Sequence, residues 1–319
     1  MSGAKPISYL VPVRWADGAQ RPELAAYLRA IAPLCGEILV VDGSPPEVFA
    51  ANGAAWGDVA KHVAPAPEDR CLMGKVAGVR TGLRLAAHER VVIADDDVRY
   101  APSSLRRVAD LLGEHDLVRP QNYFCELPWH ARWDTARTLL NRCFGADYPG
   151  TLALRRSRAL AMGLYDGDVL FENLELIRTV RAHGGSVVSP LDLYVARVPP
   201  SAAHFWGQRT RQAYDDFALP VRMALWLAVL PLLGLCALRR RPALAATAAA
   251  LAVAAAERGR RRAGGRTVFP ATSSLLAPVW IGERGVCAWL AVLQRLRFGG
   301  VRGGGAGVPR GAPPPRPHP

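Results

Sequence analysis

The sequence predicts an α/β fold, a mostly parallel sheet flanked by helices, followed by a C-terminal region of apolar helices. Three observations predict this class. Short apolar runs typical of buried strands alternate with segments of helical periodicity over the first hundred residues. Acidic residues directly follow two of those runs, at Asp42 and at residues 95–97. From residue 219 onward, long apolar stretches are separated by arginines.

Five segments in the first hundred residues account for the predicted sheet. Continuous apolar runs are typical of strands buried on both faces, and they alternate here with helical spacing. In chain order the segments are the strand ISYLVPV (7–13), the helix RPELAAYLRAIAPLC (21–35), the strand and turn EILVVDGSPP (37–46), the helix GKVAGVRTGLRLAA (74–87) and the strand RVVIADDD (90–97). Ligands bind parallel sheets at the carboxyl ends of their strands. We therefore expect Asp42 and the aspartates at 95–97 to line one crevice.

The middle of the chain is less regular. Residues 118–156 carry several aromatic side chains, including Trp129 and Trp133, and end in a short strand. GDVLFENLELIRTVRAHGG (167–185) predicts an amphipathic helix that its two final glycines end. We expect Trp129, Trp133 and Trp206 to be core residues rather than platforms for a sugar.

The positive charge is confined to one end of the chain. The formal net charge is +13, yet residues 1–216 hold 25 basic and 25 acidic side chains. Residues 217–319 hold 15 arginines and only two glutamates, beside the long apolar stretches. Arginines that flank apolar segments suit anionic lipid headgroups better than a duplex groove. The distribution favours a membrane as partner and argues against nucleic acid.

The C-terminal region contains three apolar segments, at 219–238, 242–256 and 275–298. The first is long enough to span a bilayer, and the second is short for a span. Residues 282–297 of the third mix charged and apolar side chains and predict an interfacial helix. Three arrangements stay open: a membrane hairpin of the first two segments, attachment to the surface alone, and a buried helical subdomain of a soluble protein.

The aspartates at 95–97 are the strongest sign of chemistry. Asp95 and Asp97 are one residue apart at the end of a buried strand, a suitable position for holding Mg²⁺ or Mn²⁺. Such cations take oxygen ligands and keep open positions for the phosphates of a substrate. The alternative is an acidic turn that is simply solvated.

Several motifs, in order, resemble the family 2 glycosyltransferases of the GT-A fold. ISYLVPV, ILVVDGS, GKVAGVRTGLRLA and VIADDDV are similar to the nucleotide-binding half of that family, and GTLALRR followed by YDGDVLFENLEL to its acceptor half. QRTRQ (208–212) resembles the Gln-x-x-Arg-Trp motif of its processive and lipid-modifying members. The likeness spans residues 7–216 and is greatest to membrane-tethered enzymes such as the ceramide glucosyltransferase group.

The resemblance implies an inverting, metal-dependent enzyme that moves a sugar from a nucleoside diphosphate to a lipid, polyprenyl or other membrane-proximal hydroxyl. It implies that one group of residues binds the donor: Asp42, Lys75, Asp95, Asp96, Asp97, Gln208 and Arg211. Of these, Asp95 and Asp97 would also hold the metal. The family has a Glu-Asp pair where this chain has Glu172-Asn173. Since an asparagine cannot accept a proton, Glu172 is the predicted general base and Asp168 the reserve.

Two alternatives to that function stay open. A nucleotidyltransferase on a similar sheet would also place acidic residues at strand ends, but VRWADGAQR (13–21) is a poor version of the Gly-rich basic loop such enzymes have after the first strand. A catalytically inactive, membrane-anchored module that binds a sugar nucleotide is the other alternative. Asn173 and Gln212, which stand where the family has an aspartate and a tryptophan, are its only support.

The resemblance and the charge pattern together divide the chain into a GT-A catalytic domain at 1–216, a membrane-associated helical region at 217–298 and a disordered tail at 299–319. The apolar stretch near the N-terminus is too short for a signal peptide. Six scattered cysteines without a Cys-x-x-Cys pair indicate reduced thiols. We expect a protein of the cell membrane with its catalytic domain on the cytoplasmic side.

Overall fold

A computed structural model describes residues 6–169 and 171–298. The described chain divides into two compact units. The first comprises residues 6–122 and Tyr148–Arg197, and the second Tyr123–Asp147 and 198–298. The predicted domain boundary at 216 stays a prediction, and the predicted disordered tail at 299–319 lies outside the described residues.

Strands and helices alternate through the first unit. Its helices are α1 (Arg21–Ile31), α2 (Pro46–Trp56), α3 (Gly74–Leu85), α4 (Pro102–Leu111), α6 (Arg156–Ala161) and α7 (Glu172–Ala182), with α5 (Trp129–Phe144) falling in the second unit. The strands are β1 (Ile7–Val13), β2 (Glu37–Asp42), β3 (Lys61–Val63), β4 (Arg90–Ala94), β5 (Val98–Arg99), β6 (Leu117–Val118), β7 (Gln121–Phe124), β8 (Thr151–Arg155), β9 (Val187–Val188) and β10 (Tyr194–Arg197).

Seven of the strands form one sheet in the order β3-β2-β1-β4-β8-β6-β9. Strands β3, β2, β1 and β4 are parallel to one another, while β8 lies antiparallel between β4 and β6. The predicted mostly parallel α/β sheet is therefore confirmed. The antiparallel insertion of β8 places Thr151 opposite Ala94, so the turn before β8 meets the end of β4.

Both faces of this sheet are buried, which explains why its strands are apolar without alternation. Along β1, Tyr9 and Val11 pack with Leu28 on one face, whereas Leu10 packs with Leu83 on the other. Burial on both faces leaves the ends of the strands as the part of the sheet where polar side chains can collect.

A second sheet has three strands in the order β5-β10-β7. Strand β10 is antiparallel to β5, with Arg197 opposite Val98. This register brings the last residue of β10 to the segment that directly follows the three aspartates. The sequence patterns did not predict this pairing.

The second unit is helical. Besides α5 it contains α8 (Ala202–Tyr214), α9 (Pro220–Leu238), α10 (Pro242–Arg261), α11 (Ala271–Leu275) and α12 (Ala277–Phe298). Helix α12 contacts α8, α9, α10 and α5.

Buried ion pairs hold these helices to one another. Arg209 on α8 is 2% exposed and bonds Asp134 on α5 at 2.8 Å and Glu283 on α12 at 2.5 Å. Burial alone would raise the pKa of Asp134, but nearby arginines, Arg209 among them, outweigh it and hold that pKa well below its ordinary value. Removing one partner of a buried pair typically costs about 3–5 kcal/mol, so the network fixes the helix arrangement.

The same network includes two charged residues of the segment 282–297, whose placement as an interfacial helix stays a prediction. Both are directed into the unit, where Glu283 pairs with Arg209 and Arg284 bonds Asp216 at 2.7 Å. Their charges therefore say nothing about a membrane-facing side of α12.

Candidate active site

The aspartates at 95–97 lie directly after β4, where the backbone turns into β5. The amide of Asp95 donates to the carbonyl of Gly150 at 2.9 Å, and the amide of Val98 donates back to the carbonyl of Asp95 at 3.0 Å. These bonds hold the three side chains at the carboxyl edge of the main sheet, the position at which ligands bind such folds.

Lys75 joins Asp95 to the predicted base. Its ammonium lies 2.6 Å from Oδ1 of Asp95 and 3.0 Å from Oε1 of Glu172. Lys75 stands in the first turn of α3 and Glu172 begins α7, so three elements meet at one cation. Burial alone would lower the pKa of Lys75, but the two carboxylates outweigh it and raise that pKa. Three of the predicted site residues thus form one cluster.

Arg197 binds the third aspartate. Its Nε lies 3.0 and 3.1 Å from the two carboxylate oxygens of Asp97, and its Nη2 lies 2.5 Å from Oδ2. Such a fork is the strong, directional form of a charged hydrogen bond. Both side chains are about a quarter exposed. No sequence motif marks Arg197 within YVAR, because only the β5–β10 register brings it to this site.

Asp96 is held by a different donor. The indole N–H of Trp15 donates to its Oδ2 at 2.6 Å, and Arg99 donates to its backbone carbonyl at 2.6 Å. Burial raises the pKa of the Asp96 carboxyl, and the Trp15 bond opposes that rise. Burial also raises the pKa of Asp95, against the opposing effect of Lys75. Each carboxylate of the cluster therefore has its own protein donor.

Asp42 is buried at the end of β2, and the protein itself satisfies its oxygens. The amide of Ser44 and the side chain of Asn52 donate to it at 2.8 Å, and Nε2 of His62 lies 3.0 Å away. Burial alone would raise the pKa of Asp42, but these donors outweigh it and lower that pKa. The contacts close the β2–α2 connection, and binding of the donor by Asp42 stays a prediction.

The two candidate bases have different surroundings. Glu172 is part of the Lys75 cluster, whereas Asp168 is exposed and accepts a hydrogen bond from the amide of Leu72 at 2.8 Å. Asn173 donates through its amide to the carbonyl of Pro149 at 3.0 Å, a bond that an ionised aspartate could not make. Asn173, which stands where the resembled family has an aspartate, therefore has a structural role of its own. The neighbouring Glu172 keeps its carboxylate.

Gln208 and Arg211 lie in the second unit, on α8. Gln208 contacts the side chain of His204, and both Gln208 and Arg211 are partly exposed. The buried residue of the QRTRQ segment is Arg209, which belongs to the ion-pair network described above. The donor-binding roles of Gln208 and Arg211 stay a prediction.

The expectation of core tryptophans is wrong for two of the three. Trp129 is 51% exposed and Trp206 is 48% exposed, and their ring centroids lie 5.9 Å apart. Trp133 is partly buried and donates to Glu283 at 3.0 Å. The second unit therefore presents a pair of aromatic rings to its surroundings.

The residues of the cluster can hold a divalent cation only when other ligands complete its coordination. No group of three His, Cys, Asp or Glu side chains within residues 6–169 and 171–298 could share a metal ion. Asp95 and Asp97 can offer two carboxylates, enough for Mg²⁺ or Mn²⁺ when phosphate oxygens and water complete the ligand set. Because Lys75 and Arg197 already bind these carboxylates, an entering cation has to compete with them.

The side chains of Asp95 and Arg197 approach the backbone closely at Gly150, which has no Cβ atom. A Cβ atom added there would lie 2.7 Å from Oδ2 of Asp95 and 3.1 Å from Cζ of Arg197. We expect Gly150→Ala to leave the fold intact, since the far ends of flexible side chains can shift, but to cut turnover roughly 10²-fold through misplaced charges. Turnover and thermal melting measure the two effects. Gly282→Ala, whose Cβ would meet nothing within 4 Å, is the control; equal activity of both variants would contradict the prediction.

Of the comparisons with known proteins, the one with solved structures informs the fold. No protein-family model matches the chain, and no curated protein matches its sequence. Among solved structures, the mannosyltransferase PcManGT from Pyrobaculum calidifontis, in complex with GDP-mannose and Mn²⁺, is 18% identical and covers 92% of this chain and 88% of that one, with a TM-score of 0.55.

Two weaker likenesses extend over about two thirds of the chain. Glucosyl-3-phosphoglycerate synthase from Mycobacterium tuberculosis, with Mn²⁺, UDP and glucosyl-3-phosphoglycerate, is 19% identical over 66% of this chain and 78% of that one, at a TM-score of 0.43. A mycobacterial protein is 20% identical over 66% of this chain and 73% of that one, at a TM-score of 0.44. The likeness to PcManGT, by its extent, shows that this chain has the fold of that mannosyltransferase.

Proposed function

We propose that the protein is an inverting, metal-dependent glycosyltransferase that moves a sugar from a nucleoside diphosphate to the hydroxyl of a lipid or polyprenyl acceptor. The observation that carries the proposal is the Asp95–Lys75–Glu172 cluster beside the Asp97–Arg197 pair, at the ligand-binding edge of a sheet in this fold. It combines carboxylates for a cation, cations for a diphosphate and a carboxylate for a proton.

The leaving diphosphate has to be stabilised as its bond to the sugar breaks. Asp95 and Asp97 would hold Mg²⁺ or Mn²⁺, which supplies positive charge to the leaving group when bound. Lys75 and Arg197 line the same edge and can donate to phosphate oxygens. Both kinds of positive charge would then lie where negative charge develops.

The acceptor has to lose a proton as it attacks. Its oxygen forms a bond to the anomeric carbon while the bond from that carbon to the diphosphate oxygen breaks, which inverts the configuration. The proton passes to the carboxylate of Glu172. The ammonium of Lys75, 3.0 Å away, orients that carboxylate. A single displacement of this kind needs one base and no covalent intermediate on the protein.

Binding of the donor tests the proposal in its simplest form. We expect a sugar nucleotide together with Mn²⁺ to raise the melting temperature of the full chain, because a ligand that binds only the folded state stabilises it. A panel of UDP- and GDP-sugars with Mn²⁺, each compared with Mn²⁺ alone, identifies the donor. The absence of a shift with every donor would count against a sugar-nucleotide enzyme.

We also propose that the second unit attaches to the membrane through a helical hairpin. Helix α9 is long and apolar enough to cross a bilayer, and only 6% of its most apolar window is buried. Its 19 residues extend about 28 Å, close to the thickness of the hydrocarbon core. Leu225, Leu232 and Leu238 are all more than half exposed. This exposure supports a membrane rather than a buried helical subdomain.

The return helix supports the hairpin. Helix α10 contacts α9, has exposed leucines at 244 and 251, and extends to Arg261, a turn and a half beyond the predicted 256. Its end carries Arg258, Arg260 and Arg261, which the hairpin would return to the cytoplasmic side, whereas the three arginines at 239–241 would lie on the far side, against the positive-inside tendency.

The hairpin predicts how the protein fractionates. Because an apolar hairpin leaves a bilayer only at high free-energy cost, we expect the full chain to stay in the pellet after a carbonate wash. Immunoblotting of pellet and supernatant measures it. Release by carbonate would exclude the hairpin, and release by salt alone would leave only electrostatic attachment.

A further inference from the structure

We propose that Arg197 is a stand-in cation at Asp97, where it occupies the place of the divalent metal ion. It holds this carboxylate while the donor is absent, and it transfers to the diphosphate of the donor when a divalent cation takes its place. As a result, metal and nucleotide bind cooperatively, each weakly without the other. The inference rests on the proposed function and names a residue that controls when the metal site forms.

The geometry supplies a guanidinium that is bound but able to leave. Arg197 contacts both oxygens of Asp97 through Nε and one of them through Nη2, yet the two side chains remain 26% and 27% exposed. Its Cζ lies beside Gly150, where a Cβ would approach to 3.1 Å, so the glycine leaves room for the guanidinium. A partly exposed pair of this kind can exchange partners without disrupting the core.

Electrostatics explain why the pair exists. Three consecutive carboxylates repel one another unless cations or donors lie among them. Lys75 forms an ion pair with Asp95, and the Trp15 indole donates a hydrogen bond to Asp96. Arg197 completes the set at Asp97, so each of the three carboxylates has a donor from the protein itself.

The same pairing opposes a metal that arrives alone. Binding of a divalent cation at Asp97 would either place it against the guanidinium or leave the guanidinium without its carboxylate. A diphosphate removes both penalties, since it offers Arg197 an anionic group of the same bidentate geometry and gives the metal additional oxygen ligands. Coupling between two ligands is reciprocal, so the metal must strengthen nucleotide binding by the same factor.

A Mn²⁺ titration of the purified full-length protein, followed by electron paramagnetic resonance of the free ion, tests the inference without an activity assay. It is run with Mn²⁺ alone and with Mn²⁺ plus UDP or GDP. For the wild-type protein we expect the nucleotide to tighten Mn²⁺ binding by roughly 5- to 150-fold, the usual range of coupling.

Arg197→Gln is the decisive variant, because it removes the charge and keeps most of the side chain. We expect it to bind Mn²⁺ alone about 10-fold more tightly than the wild-type protein and to lose most of the coupling to nucleotide. Arg197→Lys, which keeps a single positive charge, should lie between the two. Arg107→Gln is the matched control, since Arg107 pairs with the exposed Asp192 at 2.8 Å and takes no part in the aspartate cluster; it should titrate like the wild-type protein.

The outcomes separate this inference from the proposed function. Coupled Mn²⁺ and nucleotide binding in the wild-type protein, with unchanged or weaker Mn²⁺ binding in folded Arg197→Gln, would overturn the stand-in role alone. A wild-type protein that binds no Mn²⁺ even with nucleotide would overturn the metal-dependent function and this inference together. Thermal melting of each variant verifies that it is folded.

Discussion

Asp97→Ala is expected to abolish sugar transfer while leaving the fold intact. The substitution removes one of the two carboxylates that would hold the cation, and electrostatic groups of this kind typically contribute about 10²- to 10³-fold to turnover. The fold survives because the pair with Arg197 is a quarter exposed, so water can solvate the guanidinium left behind. Turnover of the donor and thermal melting of the variant measure the two effects.

A matched control separates loss of chemistry from loss of a surface charge. Asp58→Ala removes an exposed aspartate that pairs with Arg29 at 3.0 Å, and such pairs contribute little to stability. We expect this variant to behave as the wild-type protein. Wild-type turnover in Asp97→Ala as well would contradict the metal role of the strand-end cluster.

Glu172→Gln is expected to cut turnover by roughly 10² to 10⁴ with donor binding near normal, the range for a positioned general base. The amide oxygen of glutamine can still accept from Lys75, so the cluster keeps its geometry while it loses its proton acceptor. Single-turnover rates and a separate measurement of donor affinity distinguish the two effects.

Asp168→Asn is the companion variant. Asp168 lies outside the Lys75 cluster and bonds the amide of Leu72, so its substitution should leave turnover within a few-fold of the wild-type value. If Glu172→Gln kept full turnover and Asp168→Asn lost it, the base would be Asp168.

The sequence predicted the part of the fold that depends on local patterns. Strand β1 and the helix α3 begin where the pattern placed them, and β2 ends at Asp42 before its turn. These elements lie in a sheet buried on both faces, so their apolar runs are unbroken and hard to mistake. The aspartates that follow such a run had to lie at the end of its strand. Asp95 there forms one cluster with Lys75 and Glu172.

What the sequence did not predict depends on pairings between distant segments. Arg197 reaches Asp97 through the β5–β10 register, and Trp15 reaches Asp96 across 81 residues. The hydrogen-bond partners of buried Asp42 include Asn52 and His62, which a strand pattern cannot identify. No local pattern contains these contacts.

The most direct test of the account is to identify the products formed from sugar nucleotides. The full chain is incubated with Mn²⁺, a panel of UDP- and GDP-sugars and a polyprenyl or lipid acceptor, and both the nucleotide product and the lipid phase are analysed. We predict that one donor releases its nucleoside diphosphate, that the sugar appears in the lipid phase with inverted anomeric configuration, and that Asp97→Ala forms neither product. Release of the sugar 1-phosphate instead, with transfer of the nucleoside monophosphate, would identify a nucleotidyltransferase, and binding of donors without any turnover would identify an inactive module; either result would contradict the account.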